Sequence, residues 1–316
     1  MDNKIFTAKE FANELGITKS QLFEMEKNGV LPAGERDPKS NYRIYSPQDL
    51  AHYRGLLDIP PLIKGPIIQL FLNFKGGTGK TSISTSYAYR VAEMGYRTLL
   101  IDLDPQGHVS KCLGFDVEDL EHTLLDVLVH KRDITSLVQK TPVPTLDIIP
   151  SNLGLSPVEI MLVSVNAREY RLKKALKSVT DYDLIVFDAP PNIGILNLNA
   201  ILSSQHIIIP VLADFLSFHG LKILFETLTE IEEDFDFFLD GVFILLNKYN
   251  ASQRICNESF DALKKYYHEY LLHTVIRQDT KIAEASNYGK PIFQFAPSAK
   301  GSKDIQSLIF ELFRPD

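Results

Sequence analysis

The sequence predicts an α/β protein built on a doubly wound, mostly parallel sheet, with a smaller domain in front of it. Three observations predict it. From Ile67 on, short apolar runs alternate with helix-like patterns. The first of these runs ends in a glycine-rich loop that opens a helix. The segment "DIPPLIKGP", residues 58–66, carries three prolines and a glycine and divides residues 1–57 from that alternation.

Proline removes a backbone donor and fixes its own φ, so 58–66 reads as a linker. After it, "IIQLFLN" reads as a buried strand, and "KTSISTSYAYRVAEMG" as a helix closed by Gly95. "RTLLIDLD", "TLDIIPS", "DYDLIVFDAP", "HIIIPVL" and "GVFILLN" follow as further strands. Nearly continuous apolar runs of this length suit parallel strands buried on both faces. Between them "VEIMLVSV", "AREYRLKKALKSV", "HGLKILFETLTEIEE" and "ESFDALKKYYHEYL" carry helical patterns. Alternation of this kind makes residues 67–316 one doubly wound domain, with its ligand at the carboxyl ends of the strands.

Composition narrows the function. The 316 residues are 45% apolar and 23% charged, ordinary for a globular protein, and the formal charge is −7. A protein that coats nucleic acid with its whole surface is basic, so any DNA contact here uses a local patch. Cys112 and Cys256 lack a metal-ligand spacing. They argue against a disulfide framework, a zinc site or an iron–sulfur cluster, and they suit a reducing cytoplasm. No run approaches a membrane span, the N-terminus lacks a signal peptide's apolar core, and "SLIFELFRPD" at the C-terminus is a poor membrane anchor with its single basic residue. The expectation is no membrane partner.

The stretch "NFKGGTGKTS", residues 73–82, carries the chemistry. A Walker A loop reads G-x-x-x-x-G-K-[ST]. Here Gly79, Lys80 and Thr81 match, but Phe74 stands where the first glycine belongs, and a second lysine, Lys75, follows it. The amides of Gly76, Gly77, Thr78, Gly79 and Ser82, with the positive end of a helix dipole, suit a polyphosphate. Lys80 should reach the β- and γ-phosphates and the Thr81 hydroxyl should bind Mg²⁺. "LLIDLDPQG" places Asp102 and Asp104 where one strand runs out, and "LIVFDAPPN" places Asp188 at the end of another. Alone, each aspartate reads as a turn residue. Beside a P-loop they read as carboxylates near Mg²⁺ or its waters.

KGGTGKT, DLDPQG and DAPPN, in this order, resemble the deviant Walker A ATPases of the ParA/MinD group, and the ParA branch in particular. "TVIRQDTKIAEASNYGKPI" is similar to that branch's stretch after its last strand. The resemblance covers about Ile67 to Phe313. It implies an ATPase with ATP and Mg²⁺ as cofactors, an ATP-sandwiched homodimer, and Lys75 crossing to the partner subunit's nucleotide. A second cation brought by another chain links ATP binding to dimerisation. The resemblance further implies that Asp104 positions the attacking water, that Asp188 supports the Mg²⁺ shell, and that Asn247 hydrogen-bonds adenine.

The N-terminal segment resembles the winged helix-turn-helix head of MerR-type regulators. Thr7 caps a first helix, "LGIT" makes the turn, a second helix runs from Lys19 to Asn28, and "NYRIYSPQDL" supplies the wing. Its exposed reading positions hold Ser20, Phe23, Glu24 and Met25 rather than donors, while Arg36, Lys39 and Arg43 are placed to touch phosphate. Both operator binding and protein docking fit this segment.

The ParA resemblance also implies nonspecific DNA binding through a C-terminal cluster. Arg254 lies two residues beyond one family arginine position, which holds Ser252, and Lys281 falls on another; Lys248 lies in the same part. The expected function is segregation or positioning of a plasmid, chromosome or other cargo, driven by ATP hydrolysis that a ParB-like or other partner stimulates. The expected location is cytoplasmic and nucleoid-associated. Two alternatives stay open: a DNA-binding regulator that ATP only switches, and a small-substrate ATP-dependent enzyme.

Overall fold

The computed structural model describes residues 4–118 and 120–313, without the side chains of 215–217. Arg314, the one basic residue of the C-terminal stretch, lies outside the described residues.

The chain opens with β1 (Phe6–Thr7), α1 (Ala8–Glu14), α2 (Lys19–Lys27), β2 (Glu35–Arg36), β3 (Arg43–Tyr45) and α3 (Asp49–Leu56). Local chemistry starts both of its first helices. Thr7 and Thr18 accept from backbone amides three residues on, and Glu10 and Gln21 reach back to the cap amides, so each start is a capping box. The strands form a small sheet in the order β1-β3-β2, and β2 and β3 make the wing. Phe11, Leu22, Leu31, Tyr45 and Leu50 build this unit's own core.

Arg43 does not reach outward for phosphate as its position in the wing suggested. It ion-pairs with buried Glu26 of α2 and lies over the Phe23 ring at 4.9 Å. Glu26 also accepts from the Tyr45 hydroxyl at 2.7 Å and from the Gly34 amide at 3.1 Å. A buried carboxylate needs these partners, so Arg43 serves to fasten the wing to α2.

The larger unit runs β4 (Ile67–Phe71), α4 (Lys80–Glu93), β5 (Thr98–Asp102), α5 (His108–Cys112), α6 (Leu124–Leu128), β6 (Gln139–Lys140), β7 (Leu146–Ile149), α7 (Val158–Met161), α8 (Arg171–Ala175) and β8 (Leu184–Asp188). It continues with α9 (Ile195–Ser203), β9 (His206–Leu212), α10 (Phe215–Phe235), β10 (Gly241–Tyr249), α11 (Arg254–Tyr266), β11 (Leu271–Arg277), α12 (Thr280–Asn287), α13 (Ile292–Phe295) and α14 (Lys300–Phe313). Among the described residues its sheet has the order β11-β10-β9-β4-β8-β5-β7-β6. Every pairing in it is parallel except β6 with β7. Cores pack on both faces, as the apolar runs require.

The fold is the predicted doubly wound one, with three local departures. "VEIMLVSV" holds only the short α7 and a 3₁₀ turn, because Val165 turns extended and Ala167 takes φ +51°. "AREYRLKKALKSV" is α8 flanked by 3₁₀ turns. The pattern "ESFDALKKYYHEYL" ends as a helix at Tyr266, and Leu271 already belongs to β11. An edge strand shows one face to solvent, so β11 alternates and lacks the apolar run that marked its neighbours.

Segment 58–66 packs on the sheet domain: Ile63 is buried and the Leu62 amide donates to the Tyr96 hydroxyl at 2.7 Å. The two units meet at the far end of α4. Arg90 pairs with Glu14 at 2.6 Å and Glu93 with Lys4 at 2.7 Å, while Arg54 donates to the Met94 carbonyl. Gly95 ends α4 at φ +88°, and a Cβ there would lie 2.7 Å from Leu50. This glycine both stops the helix and admits α3.

Candidate functional site

Strand order puts the P-loop in the middle of the sheet. It follows β4; Asp188 and Asp104 close β8 and β5 on one side, and Asn247 and Lys248 end β10 on the other, beyond β9. This is where a doubly wound sheet opens a crevice at its strand ends. A cavity of about 920 Å³ lies here, lined by Gly76, Gly77, Gly79, Lys80, Thr81 and Asp104 among others.

The loop has the backbone that a phosphate cradle needs. Gly77 sits at φ +76° and Gly79 at φ +91°, and Gly79 caps α4. A Cβ on Gly79 would meet the Asn247 amide nitrogen at 2.2 Å, so only glycine fits. Asn247 Nδ2 donates to the Thr78 carbonyl at 2.7 Å, and its Oδ1 accepts from the Lys248 amide at 2.8 Å. The side chain expected on adenine lines the cavity and also braces β10 against the loop. Ser82 donates to or accepts from Ser286 of α12 at 2.8 Å, tying the loop helix to the far wall of the cavity. Phe74, at the missing glycine, packs against the core beneath the loop.

Lys80 is buried and its Nζ donates to the Lys75 carbonyl at 3.4 Å. Burial lowers its pKa, and Asp188 and Asp104 act against that. Asp188 is fully buried and accepts from Thr81 Oγ1 at 2.8 Å and Ser84 Oγ at 2.7 Å. Burial pushes its pKa up to about 6, opposed by Ser84, Thr81 and Lys80. Asp102, pushed to about 7 by burial and by Asp188, has its oxygens committed to Ser110 and the Asp104 amide. Asp104 remains half-buried at the cavity wall, accepting from the Gln106 amide at 2.9 Å.

Lys75 leaves this cluster. Its amide is held by Asn73 Oδ1 at 2.9 Å, and its Nζ lies 2.9 and 3.1 Å from the two oxygens of Asp214. Lys75 is not among the residues that line the cavity. Arg254 and Lys281 stand at the same end of β10 and β11, where Asn250 bonds Gln278 across the two loops at 3.1 Å. Both are exposed and already paired along their own helices, Arg254 with Glu258 and Lys281 with Glu284, each at 2.6 Å. Lys248, likewise exposed, lines the cavity.

Sequence reading missed Ser84, Asn197 and Asp214. Ser84 lies one helical turn beyond Thr81, so the i,i+3 spacing was a usable signal. Asn197 Nδ2 pins the loop after Asp188 through the carbonyls of Pro190 and Asn192, at 3.0 and 2.7 Å. No local pattern marks it or Asp214.

Sequence comparison agrees with this geometry. The pattern of the AAA domain family matches residues 66–240, and that of the MerR HTH family regulatory protein matches residues 6–55. The chain is 49% identical to the cell division protein PomZ of Myxococcus xanthus, over 98% of this chain and 93% of that one. This chain belongs to the ParA/MinD group of P-loop ATPases. The ATPase is also 36% identical to the sporulation initiation inhibitor protein Soj of Bacillus subtilis, over 78% of this chain and 98% of that one. Among solved structures, cobyrinic acid a,c-diamide synthase from Mycobacterium smegmatis with bound ADP and magnesium superposes with a TM-score of 0.67 at 25% identity, covering 79% of this ATPase and 94% of the synthase. Among the described residues, no helix of the ATPase is long and apolar enough to cross a membrane.

Proposed function

We propose that this positioning or partition ATPase works as an ATP-sandwiched dimer that holds nonspecific DNA and is reset by partner-stimulated hydrolysis. The observation that carries the reading is Lys75. It belongs to the phosphate loop, yet its ammonium group rests on Asp214 and not in its own chain's cavity. A cation so placed is available to a second chain's polyphosphate. The Lys75–Asp214 pair is about a third exposed on each side. Such pairs contribute about 0–1 kcal/mol, so Lys75 leaves it readily for a polyanion.

The residues fit ATP and Mg²⁺. The volume is that of a small-molecule site. Two glycines in the left-handed region and the start of α4 aim amides into it. Mg²⁺, when bound, neutralises phosphate charge; Thr81 and Asp188 would hold it and its waters. Lys80 supplies the charge for the β- and γ-phosphates. Asp104, at the end of β5 and less buried than Asp102, would orient the attacking water.

The partner is a ParB-like or other protein that raises the hydrolysis rate. Arg254 and Lys281 would hold DNA, each giving up a surface ion pair of small worth to do so. The acidic chain thus meets phosphate through one local end of the sheet.

The test is the ATPase rate alone, with DNA, with the partner, and with both. A positioning ATPase responds to both together, and a rate indifferent to them sinks the reading. Asp104→Ala should keep nucleotide binding and the dimer while hydrolysis drops by about 10²–10⁴-fold. Normal turnover in that variant would move the water-positioning role elsewhere. Lys281→Glu should lower DNA affinity for every sequence alike and leave dimerisation intact. Unchanged DNA retention at low salt would remove Lys281 from the patch.

A further inference from the structure

Four of the cations nominated from the sequence are ion-paired within the chain. Arg43 pairs with Glu26, Lys75 with Asp214, Arg254 with Glu258 and Lys281 with Glu284. Lys248 has no carboxylate within ion-pair distance among the described residues. Its Nζ points to the carbonyl of Gly77, at 3.4 Å, and its side chain lines the cavity with Lys80 and Thr81.

Three features keep it there. Asn247, its neighbour, is clamped to Thr78 and packed on the Cα of Gly79, so the end of β10 is fixed against the loop. Lys248 itself takes φ +53°, a left-handed turn that strains a residue with a side chain. The Gln278 amide donates to the Tyr249 carbonyl at 2.8 Å and holds the strand just beyond the turn. Lys248 therefore reaches the loop from the β10 side, whereas Asp188 and Asp104 reach it from the β8–β5 side.

We propose that Lys248 is a second phosphate-binding lysine of the cavity within its own chain, which takes a nucleoside di- or triphosphate together with Lys80. The inference rests on the P-loop holding that nucleotide. Its chemistry is simple. A neutral carbonyl at 3.4 Å is a poor acceptor, and a phosphate oxygen in the same cavity is a charged one. A full negative charge attracts an ammonium group more strongly than a carbonyl dipole does. Lys248 moves from the first acceptor to the second by side-chain rotation, with β10 unmoved. It cannot at the same time be part of the DNA patch.

Calorimetry of the full chain with ADP and with a non-hydrolysable ATP analogue tests this. Lys248→Gln should weaken both by about 10-fold or more, and Lys248→Arg should restore most of the loss. The slope of nucleotide affinity against salt should fall in Lys248→Gln, and DNA affinity at saturating analogue should not change. Should the left-handed turn not tolerate glutamine, Lys248→Asn, which accepts that backbone, carries the same measurement. Wild-type nucleotide affinity in Lys248→Gln overturns the inference, as does a loss confined to DNA binding. Lys80→Ala measured alongside separates the two failures. If it too binds nucleotide normally, the P-loop reading has failed. If it alone loses binding, only the role of Lys248 has.

Discussion

Lys80→Ala should lose nucleotide: affinity for ATP should fall by about 100-fold or more in calorimetry. Lys80 is 6% exposed, so its charge acts in a low-dielectric cavity that water screens little. Burial already disfavours its charged form, and Asp188 and Asp104 act against that. Replacing it leaves the loop amides and Thr81, which supply hydrogen bonds without a net positive charge. It also leaves buried Asp188 without the nearby cation that holds its pKa down. Affinity within threefold of wild type would refute the assignment of this loop to a polyphosphate.

Lys75→Ala should separate binding from assembly. Lys80 and the loop amides remain, so ATP affinity of the single chain should stay within about threefold. The dimer formed with a non-hydrolysable analogue should weaken by about 100-fold in light scattering, since a charge pair between subunits is lost. Asp214→Asn is the companion variant. It removes the charge that holds Lys75 but keeps a side chain of the same shape ahead of α10. Because that pair is about a third exposed, dimerisation should change by less than about fivefold, towards tighter. A Lys75→Ala dimer at wild-type concentrations would mean that the switch is built some other way.

Much of the fold was legible because its signals are local. Six buried strands announced themselves as apolar runs bounded by glycine, proline or aspartate. In the capping boxes at Thr7 and Thr18 the two partners stand three residues apart in the chain. β11 was not legible, because an edge strand need not be apolar on both faces. α7 and α8 broke where apolar spacing alone suggested longer helices, since Ala167 turns left-handed between them.

The sequence by itself determined the phosphate loop, the aspartates at two strand ends and the helix-turn-helix, because each of these is a contiguous run whose chemistry survives in any packing. Tertiary structure alone decided where the charges point. Lys75 meets a carboxylate 139 residues away, Lys248 a carbonyl 171 residues back, and Arg43, on strand β3, a buried glutamate on α2. Coulomb energy depends on distance and on exclusion of water, and both are set by which segments the sheet order brings side by side. A lysine is the same letter in a DNA patch, a nucleotide cavity or an ion pair, and only packing tells them apart.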